Sequence, residues 1–265
     1  MRILLTNDDG IDAEGLKFLE RIAATLSDDV WICAPEAEQS GASRALTLSV
    51  PLRVRHLGPR RFAVSGTPTD CVMLALSELI EGAKPDLVLS GVNRGQNLGE
   101  DVSMSGTVAA AIMGMVLGVP SIALSQALEE FHDDFHCAYE TAEHYAPGII
   151  QKLMQAGWPN DVVMNLNFPD LAPGEVKGVE VTRQGFRDLE HIQTERRTDL
   201  RGRHYYWLGF SGRRPRLDDG TDLVAIAEGR ISVTPLHIDM THMHTVHALK
   251  GVLGGAAPKL AEPQS

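Results

Sequence analysis

The chain has 265 residues, enough for one large domain or two small ones, and a net charge of −11. That acidity weighs against partners needing a broad basic face, such as nucleic-acid polymers and anionic membranes, but leaves room for a small anionic substrate whose charge is met by a metal or a helix end. Hydrophobic residues make up 43% of the chain, enough for a full core, and no apolar run reaches the roughly 18 residues that span a bilayer.

Residues 3–6 form a compact apolar strand that runs into Thr6-Asn7-Asp8-Asp9. No long apolar stretch with a small-residue cleavage site stands there, so a cytoplasmic protein is expected. Leu16, Leu19, Ile22, Ala23 and Leu26 recur at helical spacing and predict an amphipathic helix over 13–26. A strand over 30–34 is stopped by Pro35, and residues 53–57 and 61–65 read as a hairpin. Thr69 is placed to cap a helix running to about residue 80. The continuous apolar run at 86–90 reads as a buried parallel strand; a polar loop over 91–105, a small-residue helix over 106–117 and a strand over 121–125 follow. This strand–helix alternation predicts an α/β fold, a parallel sheet covered on both faces.

Beyond residue 130 the pattern changes. A helix is expected over 135–155, kinked at Pro147, then a strand over 162–166. Segments 179–182, 205–210 and 230–234 suggest antiparallel strands, and the charged stretch 186–203 an arm or exposed hairpin covered by a partner subunit. The expected division is an α/β core over 1–130, a helix plus β-rich part over 131–254 that adds to core and assembly, and a frayed tail over 255–265. Cys33, Cys71 and Cys137 are far apart, form no CxxC, and read as reduced, buried thiols.

In an α/β sheet, ligands bind beyond the carboxyl ends of the strands. The residues there are Asn7-Asp8-Asp9-Gly10, the loop from Pro35 to Ser43, the loop from Gly91 to Gly99, and Ser103 to Thr107. Adjacent carboxylates at a strand end are costly unless a cation neutralises them, and oxygen donors from Asp, Ser and Asn suit Mg²⁺ or Mn²⁺. The alternative for Asp8-Asp9 is an ordinary turn before a helix. Ser105-Gly106-Thr107 opens an apolar helix and suits a phosphate, or else serves as a plain cap. There is no GxGxxG, no GxxxxGK[ST] and no GxSxG, which argues against a dinucleotide cofactor, a P-loop NTPase and a serine esterase. Gly10 stands two residues after Asp8, where aspartyl-phosphate enzymes place a second Asp, which favours activated water over a carboxylate nucleophile. A late cluster holds His237, Asp239, His242, His244 and His247. It reads as a histidine-rich junction, as a Zn²⁺ site, or as a source of acid–base help to the first site, by Asp239 or a histidine.

The motifs Ile3-Leu4-Leu5-Thr6-Asn7-Asp8-Asp9-Gly10, Ser40-Gly41-Ala42-Ser43, Gly66-Thr67-Pro68-Thr69-Asp70-Cys71-Val72, Ser90-Gly91-Val92-Asn93-Arg94-Gly95, Asn97-Leu98-Gly99 and Ser105-Gly106-Thr107-Val108-Ala109-Ala110-Ala111, in this order, closely resemble the survival protein SurE family, as does Thr234-Pro235-Leu236-His237-Ile238-Asp239. The resemblance covers roughly residues 1–250. It implies a divalent-metal-dependent phosphomonoesterase acting on 5′- and 3′-nucleoside monophosphates, with short polyphosphate as a further substrate. It implies an α/β fold with a Rossmann-like three-layer sandwich around a parallel sheet, its 1–130 part the metal- and phosphate-binding core, and a smaller β-rich C-terminal part that exchanges an arm or tail to build a homodimer or homotetramer. The family's metal ligands fall on Asp8, Asp9, Ser40 and Asn93, holding one Mg²⁺ or Mn²⁺ per subunit; its phosphate-proximal positions fall on Asn97, Ser105, Gly106 and Thr107. Met104 stands where the family often has an aromatic residue, and Gln96 where a proline is common. The expected reaction is attack by water activated at the Asp8–Asp9 site, with Asp239 protonating the leaving group or ordering that water. A nucleotide-binding sensor without turnover and a zinc hydrolase built on the histidine cluster are the rival readings.

Overall fold

The structure, a computed structural model, describes residues 1–128, 139–215 and 218–254. Ile3, Leu4 and Leu5 in β1 (Arg2–Thr6) are buried on both sides, as a central parallel strand requires. Leu16, Leu19 and Ile22 line the inner face of α1 (Glu14–Ala24), which returns the chain to β2 (Asp29–Pro35). The hairpin β3 (Val54–Gly58) and β4 (Arg61–Val64) follows. The helix α2 (Pro68–Leu74) then continues through a π-helical turn, Ala75–Leu79.

Thr67, not Thr69, caps α2. Its hydroxyl accepts from the Asp70 N–H and the Asp70 carboxylate accepts from the Thr67 N–H, with Pro68 at the first helical position. The reciprocal pair satisfies two end donors where a single hydroxyl would satisfy one.

The chain proceeds through β5 (Leu87–Arg94), α3 (Gly106–Val116), β6 (Ser121–Gln126), α4 (Glu140–Ala156) and β7 (Val162–Phe168). Pro147 lies inside α4, and the first residues of the helix expected over 135–155 lie outside the described residues. After β8 (Val179–Val181) come the long strands β9 (Arg187–Thr198) and β10 (His204–Pro215), then α5 (Asp222–Ala227), β11 (Ile231–His237) and α6 (Met243–Leu253).

Nine strands make one sheet in the order β3-β4-β2-β1-β5-β6-β7-β11-β8. The six strands from β4 to β7 are parallel, and β11 runs antiparallel to β7. β8 pairs parallel with β11, a departure from the antiparallel pairing expected for residues 179–182. α1 and α4 cover one face, and α2 and α3 the other. The fold is therefore the α/β three-layer arrangement expected, with strands beyond residue 130 extending the same sheet. β9 and β10 form a separate two-stranded antiparallel sheet, the arm anticipated near 186–203, and it extends through residue 215. Cys33 and Cys71 are buried and free; Cys137 and the tail 255–265 lie outside the described residues.

The strand order reverses at β1, with β2 on one side and β5 on the other. A crevice opens beyond the strand ends at such a point. Asp8 and Asp9 follow β1, and Asn93 lies at the end of β5, so the crevice falls among the residues singled out from the sequence.

Candidate active site

Four loops meet at that crevice and are joined by hydrogen bonds. Asp8 is buried, and its carboxylate accepts from the Thr107 hydroxyl at the start of α3. The approach is so close that a Cβ on Gly106 would lie 2.8 Å from Asp8 Cβ, which is why this position takes a glycine. The Gln39 N–H donates to the Asp8 carbonyl at 2.8 Å, drawing in the loop after β2. The Arg94 N–H donates to Asp9 Oδ2 at 3.2 Å, tying in β5. Ser43 fastens the same β2 loop to the turn before α3: its N–H donates to the Met104 carbonyl at 3.2 Å and its hydroxyl to the Ser103 carbonyl at 2.8 Å.

A cleft of about 530 Å³ opens here, lined by Asp9, Glu14, Glu38, Ser40, Arg94 and Tyr139 among others. Burial raises the Asp8 carboxyl above its ordinary range, against the Thr107 hydrogen bond, which lowers it. Burial, and next the charge of Asp8, push Asp9 up to about 7, and the Glu38 carboxylate adds to both shifts. The crevice is thus an acidic site whose charge the protein only partly offsets.

Asp8, Asp9, Ser40 and Asn93 stand on the loops that these bonds join. Ser40 Oγ donates to Glu38 Oε1 at 2.7 Å, and Asn93 Nδ2 donates to the Gly95 carbonyl at 2.8 Å. Beneath them Asn7 Nδ2 donates to the Gly10 carbonyl at 2.8 Å, which leaves Asn7 Oδ1 buried without a hydrogen-bond partner. The hydroxyls at the start of α3 are turned to internal use. Ser105 Oγ caps the Val108 N–H at 3.1 Å, and Thr107 Oγ1 serves Asp8. The Thr107 N–H is likewise directed to the Asp8 carboxylate, whereas the Gly106 N–H, in the first turn, has no intrahelical partner. Asn97 is buried: its Nδ2 donates to Ser125 Oγ at 2.8 Å, and its N–H donates to Asn167 Oδ1 at 2.8 Å.

Asp239 is not part of this constellation. Because β11 runs antiparallel to β7, Ser232 pairs with Asn167 near the site and His237 pairs with Val162 at the opposite edge. Asp239 lies two residues beyond, exposed, its carboxylate accepting from the Thr241 N–H at 2.8 Å. Within one chain, the expected acid–base role of Asp239 has no geometric support. Nor is the histidine cluster drawn together. His237 faces Asp161 at 3.8 Å, the His242 and His244 rings are 6.1 Å apart, and no group of three or more His, Cys, Asp or Glu among the described residues is placed to hold a metal.

Glu38, Arg94 and Tyr139 were not singled out as site residues. Glu38 and Arg94 sit in strand-end loops already marked for their polarity, so position was the available signal. Tyr139 precedes α4 and carried no local signal.

Comparison with known proteins agrees with this fold. The profile of the family described as Survival protein SurE matches residues 3–191. The chain is 69% identical over 259 residues to the 5′-nucleotidase SurE of Caulobacter vibrioides (strain NA1000 / CB15N), covering 98% of each chain. It is 54% identical over 265 residues to the 5′-nucleotidase SurE of Parvibaculum lavamentivorans, covering 100% of this chain and 95% of the relative. The crystal structure of the SurE protein from Aquifex aeolicus superposes with a TM-score of 0.80 at 37% identity, covering 96% of this chain and all of that one. A family profile spanning more than half of the chain, and relatives this similar over nearly its whole length, place the protein in the SurE family.

Proposed function

We propose that the protein is a divalent-metal-dependent phosphomonoesterase that hydrolyses nucleoside monophosphates to nucleoside and phosphate. The observation that carries this reading is the pairing, at one switch point, of two crowded carboxylates with the amide-rich start of α3. The substrate class is taken from the relatives named 5′-nucleotidase. Action on 3′-nucleoside monophosphates and on short polyphosphate follows from the family resemblance alone.

The donor set fits a hard cation. Asp8, Asp9, Ser40 and Asn93 offer oxygen only, the two carboxylates are raised by burial, and Asn7 Oδ1 is a buried oxygen without a partner. Such an ion, Mg²⁺ or Mn²⁺ at one per subunit, would supply charge neutralisation at phosphorus and a more acidic water. The chain's own groups do the rest. Thr107 fixes the Asp8 carboxylate through its hydroxyl. The Gly106 amide binds a phosphate oxygen at the positive end of α3, beside Ser105 and Thr107, while the Thr107 amide, like its hydroxyl, holds Asp8. The anchored Asn97 holds the loop that walls the phosphate, and the Arg94 amide orients Asp9.

The arm of β9 and β10 is proposed to seat against a second subunit in a homodimer or homotetramer, because Tyr206, Trp207 and Leu208 stand exposed on it. Among the described residues no helix is long and apolar enough to cross a membrane; a cytoplasmic location is part of the proposal.

The test is phosphate release by chelator-stripped protein from 5′- and 3′-nucleoside monophosphates and polyphosphate, with Mg²⁺, Mn²⁺ or Zn²⁺ restored one at a time. Release restored by Mn²⁺ or Mg²⁺ is expected. Nucleotide binding without release under any cation would replace the enzyme with a sensor.

A further inference from the structure

Asp222 lies outside every site motif, yet it is fully buried and reaches the phosphate-side loop across 123 positions of sequence. Its Oδ2 accepts from the Gly99 N–H at 2.9 Å. Its Oδ1 accepts from the Gly185 N–H at 2.7 Å and from the Leu223 N–H at 2.9 Å. Gln184 Nε2 donates to the Gly99 carbonyl at 2.8 Å, so the Gly99 carbonyl is held from the segment leading into the arm and its N–H from the start of α5. Gly99 has φ +55°, and a Cβ there would lie 3.3 Å from the Gly185 carbonyl oxygen, so the contact is backbone on backbone.

Two residues upstream, Asn97 is pinned from the other side. Its carbonyl accepts from Asn165 Nδ2 at 2.9 Å and Asn167 Nδ2 at 3.2 Å, in addition to the bonds already described. Downstream, Gly99 opens the 3₁₀ turn Gly99–Ser103, which leads directly to Ser105 and the first turn of α3. Asp222 therefore holds the first residue of the turn that leads into α3. A buried carboxylate that accepts three backbone N–H groups is a rigid anchor, and removing one acceptor leaves a buried donor unpaired.

We propose that Asp222 is a positioning residue for the phosphoryl substrate, locking Gly99 and the start of α3 in register and tying that register to Gly185 at the root of the β9–β10 arm. The proposal rests on the phosphomonoesterase reading above. It assigns Asp222 no contact with substrate.

Asp222→Asn is the discriminating variant. It keeps the size and one accepting oxygen and turns an N–H₂ toward a backbone N–H. In the full chain with saturating Mn²⁺, KM for a 5′-nucleoside monophosphate and Ki for inorganic phosphate should rise together by about tenfold, with a smaller change in kcat. Val224→Ala, in the same helix but outside the clamp, should lower Tm and leave KM and Ki within about twofold of the unmodified protein, since it costs packing only. KM and Ki unchanged in Asp222→Asn, or raised equally by Val224→Ala, would overturn the proposal. If Asp222→Asn does not fold, Gln184→Ala at the partly exposed end of the clamp takes its place, and a rise of about threefold is expected; no rise overturns the idea. Calorimetric binding of inorganic phosphate separates the two hypotheses. A wild-type protein that binds phosphate but releases none from any nucleotide refutes the enzyme reading, and weaker phosphate binding by Asp222→Asn still supports the clamp. A wild-type protein that does neither refutes both.

Discussion

Asp8 and Asp9 are held where neither ionises comfortably, and that has consequences for a metal-free sample. Asp9 sits at about 7 in the folded chain against an ordinary value of 3.8, and Asp8 is raised as well. The unfolded chain therefore gives up these protons at lower pH than the folded one does. Above the ordinary carboxylate range the imbalance favours unfolding, and the loss is complete once the pH passes the folded values. Denaturant titration of chelated protein should show stability falling between about pH 4 and pH 7. Asp8→Asn should flatten that fall, because one buried charge is gone and Asp9 loses its neighbour. An equal pH slope in variant and wild type would refute the electrostatic account. The same variant should lose at least about a hundredfold in phosphate release, a magnitude typical of removing one charged stabiliser from an active site. A rate within a few-fold of wild type would remove Asp8 from the site. Cost to catalysis without cost to metal-free stability is the signature of a functional carboxylate.

At the scale of elements, periodicity was a sufficient guide wherever one face had to be buried. The inner stripe of α1 is the clearest instance: Leu16, Leu19 and Ile22 are fully buried, as their spacing predicted. Leu19→Ala should cost about 2–5 kcal/mol in chemical denaturation through the cavity it leaves, with kcat and KM of the remaining folded protein unchanged. Unchanged stability would mean that the helix packs in another phase. The strand-end loops that build the crevice were equally legible, since polar residues directly after apolar strands in an α/β chain have one place to go. What could not be read is direction. Residues 231–237 look like a strand in either orientation, and only pairing with β7 sends Asp239 to the edge opposite Asp8. Capping shows the same limit in miniature, where Thr67 and Thr69 are both plausible caps until the Asp70 carboxylate is seen to reciprocate with Thr67. Asp222 was missed for a related reason: its contact with Gly99 is set by tertiary approach, and it belongs to no local motif.

Over the whole molecule, the nine-stranded sheet can bury its faces by itself, whereas the arm cannot. A two-stranded hairpin is marginal alone in water. Yet β9 and β10 are twelve residues each and present Trp207 at 60% and Leu208 at 79% exposure. Large apolar side chains concentrated on one projecting element mark a surface that another chain covers. The core of an assembly interface gathers aromatic anchors and shuns charge, so a buried carboxylate there is expensive. The double change Trp207→Asp and Leu208→Asp should therefore lower the mass measured by analytical ultracentrifugation to that of a smaller assembly. Far-UV circular dichroism should stay unchanged, because the main sheet does not depend on the arm. If the arm's root at Gly185 shares its anchor with Gly99, the dissociated variant should also show a raised KM. Loss of assembly with unaltered KM would leave the interface in place and break the link between arm and phosphate loop. An unchanged mass would refute the arm as the contact and leave its exposed aromatic residues without a partner.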